Sequence, residues 1–310
     1  MSTFAPFRSA EAQAAYLAHH AERSRDWPQP WTERMVPTAL GDTYVRESGP
    51  KDAPALVMLP GVGSASYSLS HLAHGLSPHL HLYAVDNIYD TGRSVPSRPL
   101  ANADDFAAWL DSLFDALGLV KPNVLGLSYG GWVFAQYALR RPERLGKVVL
   151  LAPAGTVAPI NFAFIWRAVM TLLPGKRKAM LRFFDWASPG MAHDPKWAPA
   201  RARYLEDALI GPKSFARRRL VPPVPPPDAA WAKLTAPTLL LFGDREVIFD
   251  PARAAAKMRR IAPQVQLDVI PGVSHDLFIV AADEVNRRVL QFLKGAAAGQ
   301  AAPPVAPRPA

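Results

Sequence analysis

Six short apolar runs separated by helical patterns constrain this chain more than any other feature. ALVMLPG (55–61), HLYAVD (81–86), NVLGLS (123–128), KVVLLAPA (147–154) and TLLLFGD (238–244) each have strand length, and QVQLDVIPG (264–272) adds a sixth. A strand that is apolar almost throughout needs cover on both faces, as in a parallel sheet. Between several runs lie helical patterns such as DDFAAWLDSLFDALGL and GWVFAQYALRRPERL, the second ending in a basic turn that suits a helix C-terminus. The alternation predicts an α/β protein with a mostly parallel central sheet flanked by helices. In such sheets chemistry collects at the carboxyl ends of the strands.

The grammar breaks in two places. Residues 8 to 25 form an amphipathic helical pattern followed by the proline-punctuated DWPQPW, so residues 1–42 are expected as an N-terminal helical extension, with a polar strand near 43–48. Residues 155–235 hold prolines, aromatics and helical stretches such as FIWRAVMTLL and KAMLRFFDWA. This segment falls between two strands and reads as a helical cap inserted into a core of residues 43–154 and 236–294. VPPVPPPDAAW near its end suits an extended connector. Residues 295–310 are low-complexity and lack core side chains, the composition of a disordered tail.

Composition removes several classes of function. With no cysteine among 310 residues, disulfides and Cys-ligated zinc are excluded, and any nucleophile must be Ser, Thr, Asp, Glu or Lys. The N-terminus lacks the pattern of a secretory signal, and even VVLLAPAGTVAPINFAFIW is too interrupted to span a bilayer. A soluble, cytoplasmic protein without a membrane partner is expected. The net charge of +9 sits mainly in residues 153–235, where thirteen Lys or Arg face five Asp or Glu. No nucleic-acid module accompanies it, so the surplus reads as a basic solvated surface that could steer an anionic substrate.

GLSYGG, at the end of the third run and directly before a helix, places Ser128 at a sharp strand-to-helix turn. Gly126 and Gly130 leave space where a side chain would clash, and the helix N-terminus puts the Tyr129 amide where it can stabilise an oxyanion. A serine hydroxyl needs a base, usually a histidine held by a carboxylate. In the chain order Ser, acid, His, only His275 in IPGVSHDLF follows the carboxylate loop, because the other seven histidines lie at or before residue 193. DREVIFDP offers three acids. Glu246 is favoured for its reach, Asp244 is the second choice, and Asp250 suits a cap for the helix beginning at Pro251. LPGVGSAS supplies the second oxyanion donor, the Val62 amide. His71, His74, His79 and His81 lack metal-binding spacing and read as surface and packing residues, so neither metal nor cofactor is expected.

These motifs together resemble the α/β-hydrolase superfamily, from about residue 43 to 294. The resemblance is carried by LPGVG, VDNIYDTGRS, GLSYGG, PTLLLFGDREVIFDP and PGVSHDLF. GDREVIFDP and the N-terminal WPQPWTERMVPTALGDTYVRESGPKDAPALV are similar to a group of bacterial carboxylesterases within it. The resemblance implies an α/β-hydrolase fold, Ser128 as nucleophile, His275 as base, Glu246 as acid, and the Val62 and Tyr129 amides as oxyanion hole. Two departures stand out: Pro60-Gly61 replaces the common His-Gly of the oxyanion loop, and the acid is Glu where Asp is commoner.

The expected reaction is hydrolysis of small carboxylic esters through an acyl-enzyme. Trp166, Phe183 and Phe184, with Phe162, Phe164 and Trp186, are the cap aromatics able to line a substrate pocket. A carbon–carbon bond hydrolase using the same three residues on diketone-type substrates is the alternative. A binding protein that has lost its chemistry is the alternative from another class.

Overall fold

The computed structural model describes residues 6–171, 176–216 and 220–295; the expected tail lies almost wholly outside them. A single nine-stranded sheet organises the chain, in the order β1-β2-β4-β3-β6-β7-β8-β9 with β5 paired to β2. The strands are β1 (Trp31–Thr38), β2 (Gly41–Ser48), β3 (Ala55–Leu59), β4 (His81–Val85), β5 (Val95–Pro96), β6 (Asn123–Leu127), β7 (Val148–Leu151), β8 (Thr238–Gly243) and β9 (Gln266–Ile270). From β4 to β9 every neighbouring pair is parallel, and β1, β2 and β5 pair antiparallel. All six apolar runs contain a strand of the sheet.

The helices are α1 (Ala10–Ser24), α2 (Ser70–Leu76), α3 (Ala103–Leu117), α4 (Tyr129–Arg140), α5 (Phe162–Met170), α6 (Lys176–Ala187), α7 (Pro189–His193), α8 (Ala198–Ser214), α9 (Asp228–Ala232), α10 (Pro251–Ile261), α11 (Leu277–Val280) and α12 (Ala282–Leu293). Local chemistry sets several of their ends. Asn102 Oδ1 accepts from the Asp104 and Asp105 amides to start α3, and Gly118 in the left-handed region ends it. Asp250 Oδ1 accepts from the Arg253 amide and Pro251 occupies the first position of α10, the role the sequence suggests.

β3 lies between β4 and β6, so the chain leaves β3 toward one side of the sheet and later returns to its other side. At such a reversal the loops after neighbouring strands splay apart and leave a crevice. The loops after β3 and β6 border it.

The N-terminal 42 residues are not the helical extension expected. Only α1 is helical; β1 adds an edge strand paired to β2 from Trp31↔Ser48 to Thr38↔Gly41. Val36 is its one buried side chain, so the strand carries no apolar alternation, and Pro37 is tolerated at a sheet edge. In β2, Thr43, Tyr44, Val45 and Arg46 are all buried. The Arg46 guanidinium lies 5.1 Å from the Trp27 ring and 4.6 Å from the Trp31 ring, and donates to Ser24 Oγ and Tyr44 Oη.

α1 also grips the helices inserted between β7 and β8. His19 Nε2 lies 2.8 Å from Asp207 Oδ1 on α8, and Arg23 Nε donates to the same oxygen at 2.9 Å. Arg203 of α8 reaches back to Asp26 at 2.7 Å. Asp207 is 3% exposed, so removing its carboxylate would leave two nitrogens of a mostly buried guanidinium unpaired, with Asp26 as its remaining carboxylate partner. Asp207→Ala is expected to cost about 3 kcal/mol of unfolding free energy. Urea titration checks this; a cost below about 0.5 kcal/mol would mean the cluster behaves as a solvated surface pair.

Candidate active site

Ser128 closes β6 and opens α4 with φ 53° and ψ −112°, a conformation that costs a non-glycine residue energy. Its surroundings hold it there. The Ser128 amide donates to Leu151 O at 2.8 Å, and its carbonyl accepts from the Trp132 and Ala154 amides, both at 3.1 Å. A Cβ on Gly126 would sit 2.4 Å from Gly130 O, and one on Gly130 would sit 2.5 Å from Leu59 O. The two glycines are therefore required by the close approach of α4 to β6 and to the end of β3. Gly130 also donates its amide to Pro60 O at 3.1 Å, which fastens the elbow to the loop after β3. This is the local bonding that accompanies Pro60 in place of histidine.

That loop is braced from its far side. Asp90 accepts from the Gly63 amide at 2.9 Å, and the fully buried Asp86 accepts from the Ser66 and Arg93 amides, each at 2.7 Å. A Cβ built on Gly61 would lie 3.9 Å from Ser128 Oγ, so the loop passes close beside the hydroxyl. Among the described residues, neither the Val62 nor the Tyr129 amide donates to a protein acceptor. Two free amides therefore flank the crevice, one before and one after the strand reversal.

His275 follows β9, and its Nδ1 lies 3.0 Å from Glu246 Oε2, a carboxylate in the loop after β8. Glu246 is buried, and its Oε1 accepts from the Val247 and Ile248 amides at 2.8 and 2.9 Å. Burial opposes its ionisation, yet the charge of His275 and these hydrogen bonds outweigh it and hold its pKa below the usual carboxylate range. For His275, burial disfavours the charged form, and the Glu246 carboxylate more than offsets this, so its pKa stands above the ordinary imidazole value. Asp244 is engaged elsewhere: its Oδ1 accepts from the Gly272 amide at 2.7 Å and it is exposed. Between the two carboxylates, geometry brings Glu246 to the imidazole.

Ser128 and His275 line one cavity of 210 Å³. The hydroxyl and the ring share its wall without a direct hydrogen bond between them, a spacing that ligand-free sites often show. Phe183 and Phe184 of α6 face this cavity, as does Phe164 of α5. Trp166 does not. Phe164 and Ala168 are four residues apart and face inward together, whereas Trp166 falls between them on the helix and is 55% exposed. A larger, more polar cavity of 410 Å³ beside α1, α2 and α8 shares Ser68 and Tyr204 with the first.

Two contributors were not anticipated. Tyr204 of α8 stacks edge-on against Phe184 at 4.9 Å and lines the cavity, but sits in RARYLED, where neighbouring charges hide its inward face. Asp276, beside His275, is fully buried and accepts from the Met191 amide of α7 at 3.0 Å, tying the histidine loop to the inserted helices. Burial raises its pKa. Of the clustered histidines, His71 and His74 border the larger cavity, where His71 faces Trp197 and His74 Nε2 lies 3.0 Å from Asp26 O, while His81 Nδ1 lies 3.2 Å from Gly49 O.

Residues 56–288 match the model of the Alpha/beta hydrolase family. The chain belongs to that family. It is 31% identical over 281 residues to a protein named uncharacterized carboxylesterase nap from Bacillus subtilis, covering 89% of this chain and 91% of that protein. It is 30% identical over 296 residues to carboxylesterase YbfK of the same organism, covering 93% and 97%. The solved structure of naproxen esterase from Bacillus subtilis superposes with a TM-score of 0.83 at 28% identity, covering 92% of this chain and 99% of that one. A 2-hydroxy-6-oxononadienedioate/2-hydroxy-6-oxononatrienedioate hydrolase from Cupriavidus pinatubonensis is 26% identical over 287 residues, covering 84% and 95%.

The tightness of the elbow can be measured. Gly130→Ala must push apart α4 and the end of β3, and is expected to cost roughly 1–3 kcal/mol of unfolding free energy. Chemical denaturation reads this directly, and an unchanged midpoint would show that the elbow has slack the distances deny.

Proposed function

We propose that the protein is a serine carboxylesterase that hydrolyses small esters through an acyl-enzyme. The observation that carries this reading is His275, held by the buried Glu246, lining the same cavity as Ser128 on its strained elbow. With Nδ1 of His275 engaged by Glu246, Nε2 is left as the atom that exchanges a proton with substrate.

Ser128 Oγ attacks the ester carbonyl carbon while His275 Nε2 takes the hydroxyl proton. The carbonyl oxygen gains the electron pair and is held by the Val62 and Tyr129 amides, the second at a helix N-terminus where the dipole favours negative charge. Collapse of the tetrahedral adduct expels the alkoxide, which His275 protonates, leaving the acyl group on Ser128. Water then gives a proton to His275 and attacks the same carbon, and a second collapse, in which His275 returns that proton to Ser128 Oγ, releases the acid and restores the serine. Glu246 stays ionised throughout, fixing the tautomer of His275 and stabilising the imidazolium. The inserted helices act as a cap over Ser128, with Phe164, Phe183, Phe184 and Tyr204 shaping an apolar pocket for one side of the ester. Carboxylesterase relatives that match nearly end to end support the ester as substrate class.

Carbon–carbon bond hydrolysis is the second reading, favoured by the similarity to the Cupriavidus enzyme. A panel of short and medium nitrophenyl esters beside a vinylogous diketone acid separates the two. The ester reading predicts turnover of the esters, with Ser128→Ala and His275→Ala each lowering kcat by at least about a thousandfold. Turnover of the diketone with inert esters would overturn it.

The acid limb of the kcat/KM profile provides a separate check, because it reports the histidine of the free enzyme. Since Glu246 raises the His275 pKa, Glu246→Gln is expected to slow the reaction sharply and move that limb to lower pH. Asp244→Asn should leave both nearly unchanged. A full-rate Glu246→Gln protein beside an inactive Asp244→Asn protein would reassign the acid.

A further inference from the structure

α5 is apolar on two sides. Phe164 and Ala168 face the cavity that holds Ser128, while Phe162, Ile165, Trp166 and Val169 follow the spacing of a second stripe. That second stripe lies in the open: Phe162 is 75% exposed, Trp166 55%, Val169 47% and Ile165 45%. No other described element of the chain exposes so many large apolar side chains together. A helix apolar all round is ordinarily buried, so this face requires a second apolar phase.

Charge decides which. α6 packs against α5 through Phe164, Phe183 and Trp186, and opens with exposed Arg177 and Lys178, followed by exposed Arg182. Residues 153–235 hold nearly all of the chain's positive surplus. A second copy docked across a twofold axis would bring this basic hairpin against its own image, adding repulsion to the contact. An anionic lipid surface accepts both features at once, taking the apolar stripe into the acyl boundary and the cations among its headgroups.

We propose that α5 and the start of α6 form a docking surface for anionic lipid, on which the protein lies with the cap toward the bilayer. The mode is superficial contact, since no described helix is long and apolar enough to cross a membrane. Docking there sets the far side of the same helix, and with it the substrate cavity, beside a phase in which apolar esters concentrate. The contact is independent of the acyl-transfer chemistry and is read without it.

Sedimentation with sucrose-loaded vesicles tests this, using phosphatidylglycerol mixed with phosphatidylcholine against phosphatidylcholine alone. The wild type is expected to pellet with the anionic vesicles and to remain largely in solution with the neutral ones. Phe162→Ser with Val169→Ser should lower the partition coefficient about tenfold, with the thermal melt and the hydrolysis of a dissolved short ester little changed. Arg177→Glu with Lys178→Glu should weaken binding by a similar factor. Three results would overturn the proposal: wild-type protein left in the supernatant with anionic vesicles, binding unaffected by Phe162→Ser with Val169→Ser, or a dimer in light scattering that this pair of substitutions dissolves. The last would assign the stripe to a second copy.

Discussion

Gly130 has no room for a side chain because its backbone rests on the end of β3, and from that contact most of the site follows. The Gly130 amide bonds to Pro60 O, so the turn after β6 and the loop after β3 move as one piece. With them go Ser128 in its positive-φ conformation and the Val62 and Tyr129 amides on either side. In the mechanism we propose, Ser128 as nucleophile and these amides as donors must be held within a fraction of an ångström to favour a transition state over a ground state. Here that precision rests on backbone meeting backbone, with few degrees of freedom left to adjust.

The second half of the site arrives by a longer route. β8 and β9 carry Glu246 and His275 to the same edge of the sheet, and burial makes their pairing strong because water cannot screen it. Desolvation alone would neutralise both groups. The His275 ring and two backbone amides keep the carboxylate ionised, so it remains an acceptor suited to one tautomer. Asp276 then couples this loop to α7, so the position of the inserted helices and that of the histidine are mechanically linked.

The interior of this molecule was readable in its sequence because both-face burial leaves a plain trace. Strands β3, β4, β6, β7 and β8 are apolar along most of their length because both faces of the sheet are covered there, and the glycines flanking Ser128 mark a clash that no other residue avoids. The trace fades where burial is one-sided or polar. β1 lies at the sheet edge with a single buried side chain, and Arg46 sits in the core beneath two tryptophans although its charge argues for solvent. In the inserted helices, aromatics point inward and outward alike. Phe183 and Trp166 carry the same signal in the sequence, and only the packing of α5 on α6 sends one to the cavity and the other to solvent.

The central claim is that Ser128, activated by His275, is the atom that takes the acyl group. Its most direct test is the intact mass of the protein after treatment with a fluorophosphonate, which traps an activated serine as a covalent adduct. The account predicts one adduct per chain, mapped by peptide sequencing to Ser128, absent in Ser128→Ala and formed far more slowly in His275→Ala. An adduct on another residue, or none on the wild type, would contradict it.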